Sequence, residues 1–152
     1  MQLKAGDRAP AFHLADQSGH KQRLSHHKGR VVLLYFYPRA DTPGCTTQAC
    51  GLRDVAPRLA GVDIIGVSPD SPERLSRFDE KYGLGFTLLS DPDHEVAMRY
   101  GVWGEKKMYG KTRMGIVRSA FLIDEKGRIA RAWYKISPKD TPLKLEEALE
   151  AR

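Results

Sequence analysis

The sequence predicts an α/β fold in which helices flank a central mixed sheet. Two continuous apolar runs, 31–36 and 62–67, enclose a segment with helix signals, and this order predicts parallel strands joined by a crossover helix. Two later apolar runs enclose the turn-forming residues 124–127, which predicts an antiparallel hairpin. The chain has 152 residues, 41% of them hydrophobic, which is enough for one core and too short for two domains, so we expect a single domain over residues 1–152.

The N-terminal segment is predicted to form a β-hairpin, because residues 12–15 and 22–24 flank the turn-forming residues 17–19. The next run, residues 31–36, is rich in β-branched and aromatic side chains and contains no charge. Such a composition is typical of a strand buried on both faces. We therefore expect this strand at the centre of the sheet.

A helix, a strand and a second helix follow in the sequence. Pro43 occupies the first-turn position that proline favours, so a helix is predicted to begin there, to be interrupted at Pro57 and to end before Gly61. Residues 62–67 form the second buried strand. Residues 71–82 begin with Ser-Pro, an N-cap followed by a first-turn proline, and predict the second helix.

The C-terminal half is predicted from weaker signals. Residues 86–89 predict a short strand, and a helix is expected over residues 92–100. Residues 101–115 are rich in glycine and lysine and predict a long surface loop that borders the functional site. Residues 116–123 and 129–134 predict the two strands of the later hairpin.

A terminal helix is predicted over residues 142–151, with Leu143, Leu145 and Leu149 as core contacts. A parallel βαβ unit followed by an antiparallel hairpin and a closing helix is the thioredoxin-like plan. The predicted fold class is therefore a thioredoxin-like α/β fold whose central mixed sheet is flanked by helices and extended by an N-terminal β-hairpin.

The charge distribution excludes some classes of partner. The net charge of +6 comes from 25 Lys and Arg against 19 Asp and Glu, and these residues are interspersed without a basic-aromatic repeat, so we expect a solvated basic surface and no nucleic-acid partner. The N-terminal residues have no apolar signal region, and no window approaches the ~20 apolar residues of a membrane span. We expect a soluble cytoplasmic protein without membrane contact.

The two cysteines supply the strongest chemical signal. Cys45 falls in the predicted first turn of the helix that follows a buried strand, and Cys50 lies five residues further on. An ordinary thiol, with a pKa near ~8.5, is only about 3% thiolate at pH 7, but free N–H groups and the macrodipole at a helix N-terminus favour the thiolate. Cys45 is therefore a candidate nucleophile and Cys50 a candidate partner for its oxidised form.

Three further residues are candidates for a pocket around Cys45. Thr42 is expected to be the N-cap, with its hydroxyl one turn from the sulfur, and Pro38 to wall off the pocket. Arg118 lies at the head of an apolar strand, where its charge is costly unless an anion such as a thiolate lies nearby. Taken singly, these residues are more ordinarily a helix cap, a loop former and a surface ion pair, and only their joint pattern with Cys45 favours the pocket.

Residues 36–54 resemble the active-site signature of the peroxiredoxins, with Pro38, Thr42 and Cys45 in the pattern P-x-x-x-T-x-x-C. Within this stretch, four segments resemble the bacterioferritin comigratory protein subgroup, also called type Q: Tyr37-Pro38, Thr42 to Thr46, Ala49-Cys50 and Arg53-Asp54. Further segments of similarity elsewhere in the chain are Gly6-Asp7, Ala9-Pro10, Gly66 to Ser68, Trp103 to Gly110, Arg118 and Phe121 to Asp124.

This resemblance implies a thiol peroxidase that reduces hydrogen peroxide and organic hydroperoxides and is recycled by thioredoxin or another dithiol reductant. It implies that Cys45 is the peroxidatic cysteine and Cys50 the resolving cysteine, and that Pro38, Thr42 and Arg118 complete the pocket. It also favours a monomer, and we expect no cofactor and no metal. Two residues depart from the subgroup's usual pattern: Gln48 replaces a glutamate, and Arg113 replaces an aromatic residue.

The spacing of Cys45 and Cys50 requires motion if the two form a disulfide. Residues five apart on an ideal helix have Cα atoms roughly 8 to 9 Å apart, beyond the ~7 Å limit for a disulfide. We therefore expect the first turns of the helix to unwind in each cycle. The alternative is that Cys50 is a buried structural thiol and that another thiol resolves Cys45.

Two other functions share some of these features. A general thiol-disulfide oxidoreductase has the same fold but ordinarily uses C-x-x-C, whereas four residues separate Cys45 from Cys50. A metal-binding or redox-sensing module would use cysteines with histidines, but none of the five histidines has a ligand-like spacing to the cysteine pair. These histidines are His13, His20, His26, His27 and His94.

Overall fold

A mixed seven-stranded sheet and a separate two-stranded ribbon organise the protein in a computed structural model. The structure describes residues 2–152, apart from the side chain of Met108, so Met1 lies outside the described residues. The strands are β1 (His13–Asp16), β2 (Lys21–Arg23), β3 (Val31–Phe36), β4 (Val62–Ser68), β5 (Thr87–Ser90), β6 (Trp103–Met108), β7 (Lys111–Ile116), β8 (Ser119–Ile123) and β9 (Ile129–Trp133). The order of strands in the seven-stranded sheet is β2-β1-β5-β4-β3-β8-β9, and the ribbon pairs β6 with β7. The helices are α1 (Pro43–Val55), α2 (Pro72–Tyr82), α3 (Glu95–Arg99) and α4 (Asp140–Glu150), with 3-10 turns at Leu24–His27 and Ala56–Arg58.

The βαβ prediction is confirmed. Strand β3 pairs in parallel with β4, with Leu33 opposite Ile64, and antiparallel with β8, with Leu33 opposite Leu122. All six residues of β3 are buried, as its uncharged sequence predicted. The N-terminal hairpin is also confirmed, since β1 and β2 pair antiparallel and β1 continues the sheet beside β5.

Helices cover both faces of the sheet, so β3 contributes to two cores. Leu33 and Tyr35 pack in a cluster with buried residues of α1, α2 and α4, and Leu34 and Phe36 pack in a second cluster with buried residues of α3. Each large apolar side chain contributes about 1.5–3 kcal/mol by burial. Gly66 leaves room for this packing, because a Cβ there would lie 2.9 Å from the Tyr35 hydroxyl oxygen. The strand that leads to Cys45 is therefore firmly held.

The predicted surface loop over residues 101–115 is wrong. Strands β6 and β7 form a regular antiparallel ribbon joined by Tyr109 and Gly110, which have φ values of 52° and 75°. Two successive residues with positive φ make the tight turn that matches strand twist in a hairpin. The lysines and glycines of this segment are typical of a loop, and the ribbon has no buried apolar pattern because most side chains of β7 are exposed.

The bounds of two further predicted elements also need correction. Helix α3 begins at Glu95 rather than at residue 92, because the Asp91 carboxylate accepts hydrogen bonds from the backbone N–H groups of Val96 and Ala97 and so fixes the start. The strand predicted over residues 116–123 is divided, since Ile116 ends β7 and β8 begins at Ser119.

The terminal helix is confirmed, but the prediction that all three of its leucines contact the core is wrong for one of them. Leu145 is fully buried and Leu149 packs against the core, whereas Leu143 is 61% exposed. Within residues 2–152, no helix is long and apolar enough to cross a membrane.

Candidate active site

Cys45 lies at the N-terminus of α1, at the carboxyl ends of the parallel strands β3 and β4. The loop of residues 37–42 joins β3 to α1, and the backbone carbonyl of Thr42 accepts the first helical bond from Thr46 N at 2.8 Å. The Cys45 side chain is only 1% exposed. The sulfur therefore lies where ligands of parallel sheets ordinarily bind, with the positive end of the α1 dipole beside it.

Thr42 is the N-cap residue by backbone position, but the expected side-chain cap is wrong. Its hydroxyl donates a hydrogen bond to the Arg39 carbonyl oxygen at 2.8 Å and makes no cap bond to α1. Because the hydroxyl proton is engaged, the oxygen lone pairs are available to accept a bond from a substrate. The N–H groups of the first turn are likewise left without a side-chain acceptor.

Arg118 is brought to Cys45 although the two residues are far apart in the sequence. Its Nη2 lies 3.4 Å from Cys45 Sγ, and its Nη1 donates to Gln48 Oε1 at 2.7 Å. Among residues 2–152 it forms no ion pair with a carboxylate, so the surface ion pair considered above is not its environment. A thiolate at Cys45 would supply the anion that this guanidinium lacks.

Gly44 makes this approach possible. A Cβ on Gly44 would lie 3.2 Å from Arg118 Nη2, closer than side chains ordinarily pack, and 3.4 Å from Pro138 Cγ, at ordinary contact distance. The Thr42-Pro43-Gly44-Cys45 sequence therefore combines a helix start with a gap for the guanidinium. The sequence shows the glycine but not the distant group that fills the gap.

Gln48 and Thr141 extend the hydrogen bonds of Arg118 to the C-terminal helix. Gln48 is fully buried, and its Nε2 donates to Thr141 Oγ1 at 2.9 Å. Thr141 is 1% exposed and donates its hydroxyl proton to the Ser137 carbonyl oxygen at 2.9 Å. Thr141 could not be found from sequence, because 93 positions separate it from Gln48 and no local motif marks it.

Pro38 follows β3 in the loop before α1 and is half-buried. This placement is compatible with a pocket wall, which stays a prediction. The loop is fixed by polar contacts on either side of its turn: Asp70 accepts from Ala40 N at 2.7 Å, and Asp41 accepts from Lys81 Nζ and Tyr82 Oη at 2.8 Å each.

Two phenols lie beneath the site without adding charge. Tyr35 and Tyr37 are at most 1% exposed, and their rings stack with centroids 5.4 Å apart. Burial raises the pKa of both phenols well above the ordinary value, and the proximity of Tyr37 and of Cys45 adds to the shift at Tyr35. Both rings therefore stay neutral at physiological pH, and no phenolate competes with a Cys45 thiolate for Arg118.

The β6-β7 ribbon borders the site, as the sequence predicted for this segment. Lys106 and Arg118 line a cavity of about 550 Å³ together with Lys135, Val117 and Ile136. Burial, followed by repulsion from Arg118, lowers the pKa of Lys106, while Cys45 opposes this shift. This cavity beside Arg118 is therefore mainly cationic, because its other charged lining residues are Lys107 and a single carboxylate, Glu105.

Cys50 is partly buried in the same unbroken helix as Cys45, and both thiols are free. Their five-residue spacing on α1 corresponds to roughly 8 to 9 Å between Cα atoms, too far for a disulfide without a change in backbone. In the part of the chain that the structure describes, no three metal-binding side chains form a cluster.

Comparisons with known proteins identify the family of this chain. The family model described as the AhpC/TSA family matches residues 5–132. The chain is 60% identical over 129 residues to Peroxiredoxin Bcp of Escherichia coli K12, covering 84% of this chain and 83% of that protein. It is similar to a cysteine-to-serine mutant of Xanthomonas campestris Peroxiredoxin Q, with a TM-score of 0.90, 35% identity and coverage of 98% and 99% of the two chains.

A further solved structure, of the Xanthomonas campestris bacterioferritin comigratory protein, comes from a study of that protein's alkyl peroxide reduction activity and of trapped intermediate and ligand complexes. It matches with a TM-score of 0.89 at 35% identity over 97% of this chain and 98% of that chain. The fold is that of the thioredoxin-like thiol peroxidases. The chain belongs to the AhpC/TSA family and is a peroxiredoxin of the Bcp or Q kind.

Proposed function

We propose that this enzyme reduces hydrogen peroxide and organic hydroperoxides at Cys45 and is recycled through Cys50 by an external dithiol. The single observation that carries the proposal is the buried Cys45 sulfur at the N-terminus of α1, 3.4 Å from Arg118 Nη2. The alkyl peroxide reduction activity named for the Xanthomonas relative supports an organic hydroperoxide as one substrate class.

The first step is attack of the Cys45 thiolate on the terminal oxygen of the hydroperoxide. The S–O bond forms as the O–O bond breaks, so sulfur is oxidised to sulfenic acid and the second oxygen leaves as water or an alcohol after protonation. The Thr42 oxygen accepts a hydrogen bond from the hydroperoxide O–H, since its own proton is bound to Arg39. Arg118 stabilises the negative charge as it moves from sulfur to the leaving oxygen.

The second step joins Cys45 to Cys50. The Cys50 thiol attacks the sulfenic sulfur, a disulfide forms, and the sulfenic oxygen leaves as water. Because α1 is continuous between the two cysteines, its first turns must unwind before the sulfurs meet. An oxidised structure with residues 45–50 still helical and a Cys45–Cys50 bond would contradict this step.

The third step returns both thiols by thiol-disulfide exchange with a dithiol such as thioredoxin, which becomes the disulfide. We further propose that the enzyme is a cytoplasmic monomer that forms one domain, with Pro38 as a wall of the pocket. Two core clusters that share β3 support the single domain.

The test is oxidation of a thioredoxin system that depends on peroxide, measured with the wild type, Cys45→Ser and Cys50→Ser. We expect turnover by the wild type only, and a single equivalent of peroxide consumed by Cys50→Ser without recycling. Mass spectrometry of the peroxide-treated wild type should show the loss of two hydrogens that marks an intramolecular disulfide. Reduction of insulin without turnover of several hydroperoxides would favour a general thiol-disulfide oxidoreductase instead.

A further inference from the structure

A chain of hydrogen bonds connects the C-terminal segment to the candidate active site. It comprises the Ser137 carbonyl, the Thr141 hydroxyl and the Gln48 side-chain amide, and it ends on Arg118; we refer to it as the C-terminal relay. Its two internal side chains, Thr141 and Gln48, are 1% and 0% exposed. Water therefore does not substitute readily for any bond within it.

The direction of every bond in the relay is determined. Thr141 has one hydroxyl proton and gives it to the Ser137 carbonyl, so toward Gln48 it can only accept. A guanidinium can only donate, so the amide oxygen of Gln48 must face Arg118. The amide is thus fixed from both ends, and a half-turn of its plane would set donor against donor at Arg118 and acceptor against acceptor at Thr141.

The relay lies in a seam between α1 and the segment that contains Pro138 and the first turn of α4. A Cβ on Gly51 would lie 3.0 Å from Pro142 Cγ, and one on Gly44 would lie 3.4 Å from Pro138 Cγ. The seam therefore spans the turns of α1 that contain both cysteines. Unwinding of those turns would carry Gln48 away from Thr141 and Arg118 together.

We infer that Thr141 is a positioning residue for the peroxidase reaction: acting through Gln48, it holds Arg118 on Cys45 while α1 is helical and resists the unwinding that lets Cys50 reach Cys45. The inference rests on the proposed function. It assigns Thr141 opposite effects on the two half-reactions, since the same bonds favour oxidation of Cys45 and oppose disulfide formation. A residue that merely stabilised α4 would not favour the first step.

Thr141→Val tests the inference, because it removes the hydroxyl at nearly constant volume. We expect sulfenic acid formation, followed by rapid mixing and mass spectrometry, to slow by about threefold to tenfold, and the conversion of sulfenic acid to disulfide to accelerate by a similar factor. Thr141→Ser keeps the hydroxyl and should restore both rates. Ala148→Gly, which weakens α4 at a buried site outside the relay, should leave the oxidation rate unchanged.

A second measurement separates this inference from the proposed function, because it needs no peroxide. In a Cys50→Ser background, the rate of Cys45 alkylation by iodoacetamide is followed against pH, and Thr141→Val should move its midpoint to higher pH. Unchanged midpoint and oxidation rate, or a decrease in both half-reaction rates, would overturn the relay. If Thr141→Val does not fold, Thr141→Ala removes the same hydroxyl without adding bulk. Failure of the wild type to reduce peroxide would instead overturn the proposed function and leave the alkylation result standing.

Discussion

Helices α1 and α2 begin with similar sequences but are stabilised differently. Each follows a parallel strand and starts with a hydroxyl residue and proline, Thr42-Pro43 in α1 and Ser71-Pro72 in α2. The Ser71 hydroxyl accepts from Arg74 N at 3.3 Å, and Glu73 adds an acidic residue to the first turn of α2. The first turn of α1 has neither a side-chain cap nor an acidic residue.

The C-terminal ends of the two helices also differ, and α2 again has the local stop signal that α1 lacks. Helix α2 stops at Gly83, which adopts the left-handed conformation with φ 57°, whereas α1 continues into a 3-10 turn. Helix α2 therefore supplies its own stabilisation, while α1 leaves its N–H groups free and depends on Arg118, Gln48 and the seam with α4. The difference indicates that the first turn of a helix can leave its N–H groups free for a ligand when contacts elsewhere in the fold stabilise the helix.

The largest expected effect comes from removing the cation that lies beside Cys45 at the start of α1. Arg118→Met should lower kcat/KM for hydrogen peroxide by about 10²- to 10³-fold, since a preorganised donor at a developing charge has this magnitude. Steady-state kinetics with excess reductant measure the change. Arg131→Met, at an exposed position on β9, is the matched control and should leave kcat/KM unchanged. A loss of less than threefold at Arg118 would remove it from the reaction.

The next largest effect is expected at Thr42, the hydroxyl residue at the start of α1, and it concerns peroxidase activity and not stability. Thr42→Val should lower kcat/KM by about 10- to 100-fold, because the acceptor for the hydroperoxide is lost, whereas Thr42→Ser should keep most of it. The comparison of the two helices would fail if Thr42→Val were fully active and lost only stability. Kinetics and urea unfolding of the same samples provide both values.

The reverse result is expected at α2. Ser71→Ala should lower the free energy of unfolding by about 1 kcal/mol, since the cap bond to Arg74 is lost, and leave peroxide turnover unchanged. Urea denaturation measures the stability. Ser71→Thr retains a capping hydroxyl and serves as the control. Reduced turnover in Ser71→Ala would show that α2 also contributes to the site.

The smallest effect concerns the loop before α1 and depends on pH. Hydrogen bonds from Lys81 and then Tyr82 lower the pKa of Asp41, so the ionised carboxylate stabilises the folded state above the ordinary value of about 3.9. This contribution is lost as the pH falls through the lowered pKa. Asp41 has a φ of 62°, which asparagine tolerates.

Asp41→Asn should therefore be less stable than the wild type at pH 7, and the gap should narrow as acid protonates Asp41. Urea unfolding between pH 7 and about pH 2.5 measures the gap, and Asp93→Asn at an exposed site is the control. A difference that is independent of pH would assign the loss to backbone conformation and not to charge.

Sequence predicted most of the fold because apolar periodicity and prolines mark its elements. The buried run of β3, the first-turn Pro43 and the capped start of α2 are local signals, and each is confirmed. The β6-β7 ribbon was missed because its composition is that of a loop, and only the positive φ values of Tyr109 and Gly110 reveal the tight turn.

The role of Arg118 could be predicted from the sequence, because the cost of an unpaired charge at a buried strand does not depend on knowing the fold. An arginine at the head of an apolar strand needs an anion, and the structure brings Arg118 to Cys45. The Thr42 hydroxyl was misassigned because the position of the Arg39 carbonyl depends on the path of the loop. Thr141 was missed because its contact with Gln48 arises from helix packing alone.

The near-complete burial of the Cys45 sulfur acts as a size filter on its chemistry. A hydroperoxide needs to insert only its terminal O–H group, whereas a bulky disulfide such as oxidised glutathione cannot align three sulfurs in the folded pocket. The intact helix is therefore selective for small oxidants, and larger sulfur compounds gain access only after a first oxidation has been followed by unwinding. The order of reactants in the cycle is imposed by steric access as well as by the reactivity of the thiol.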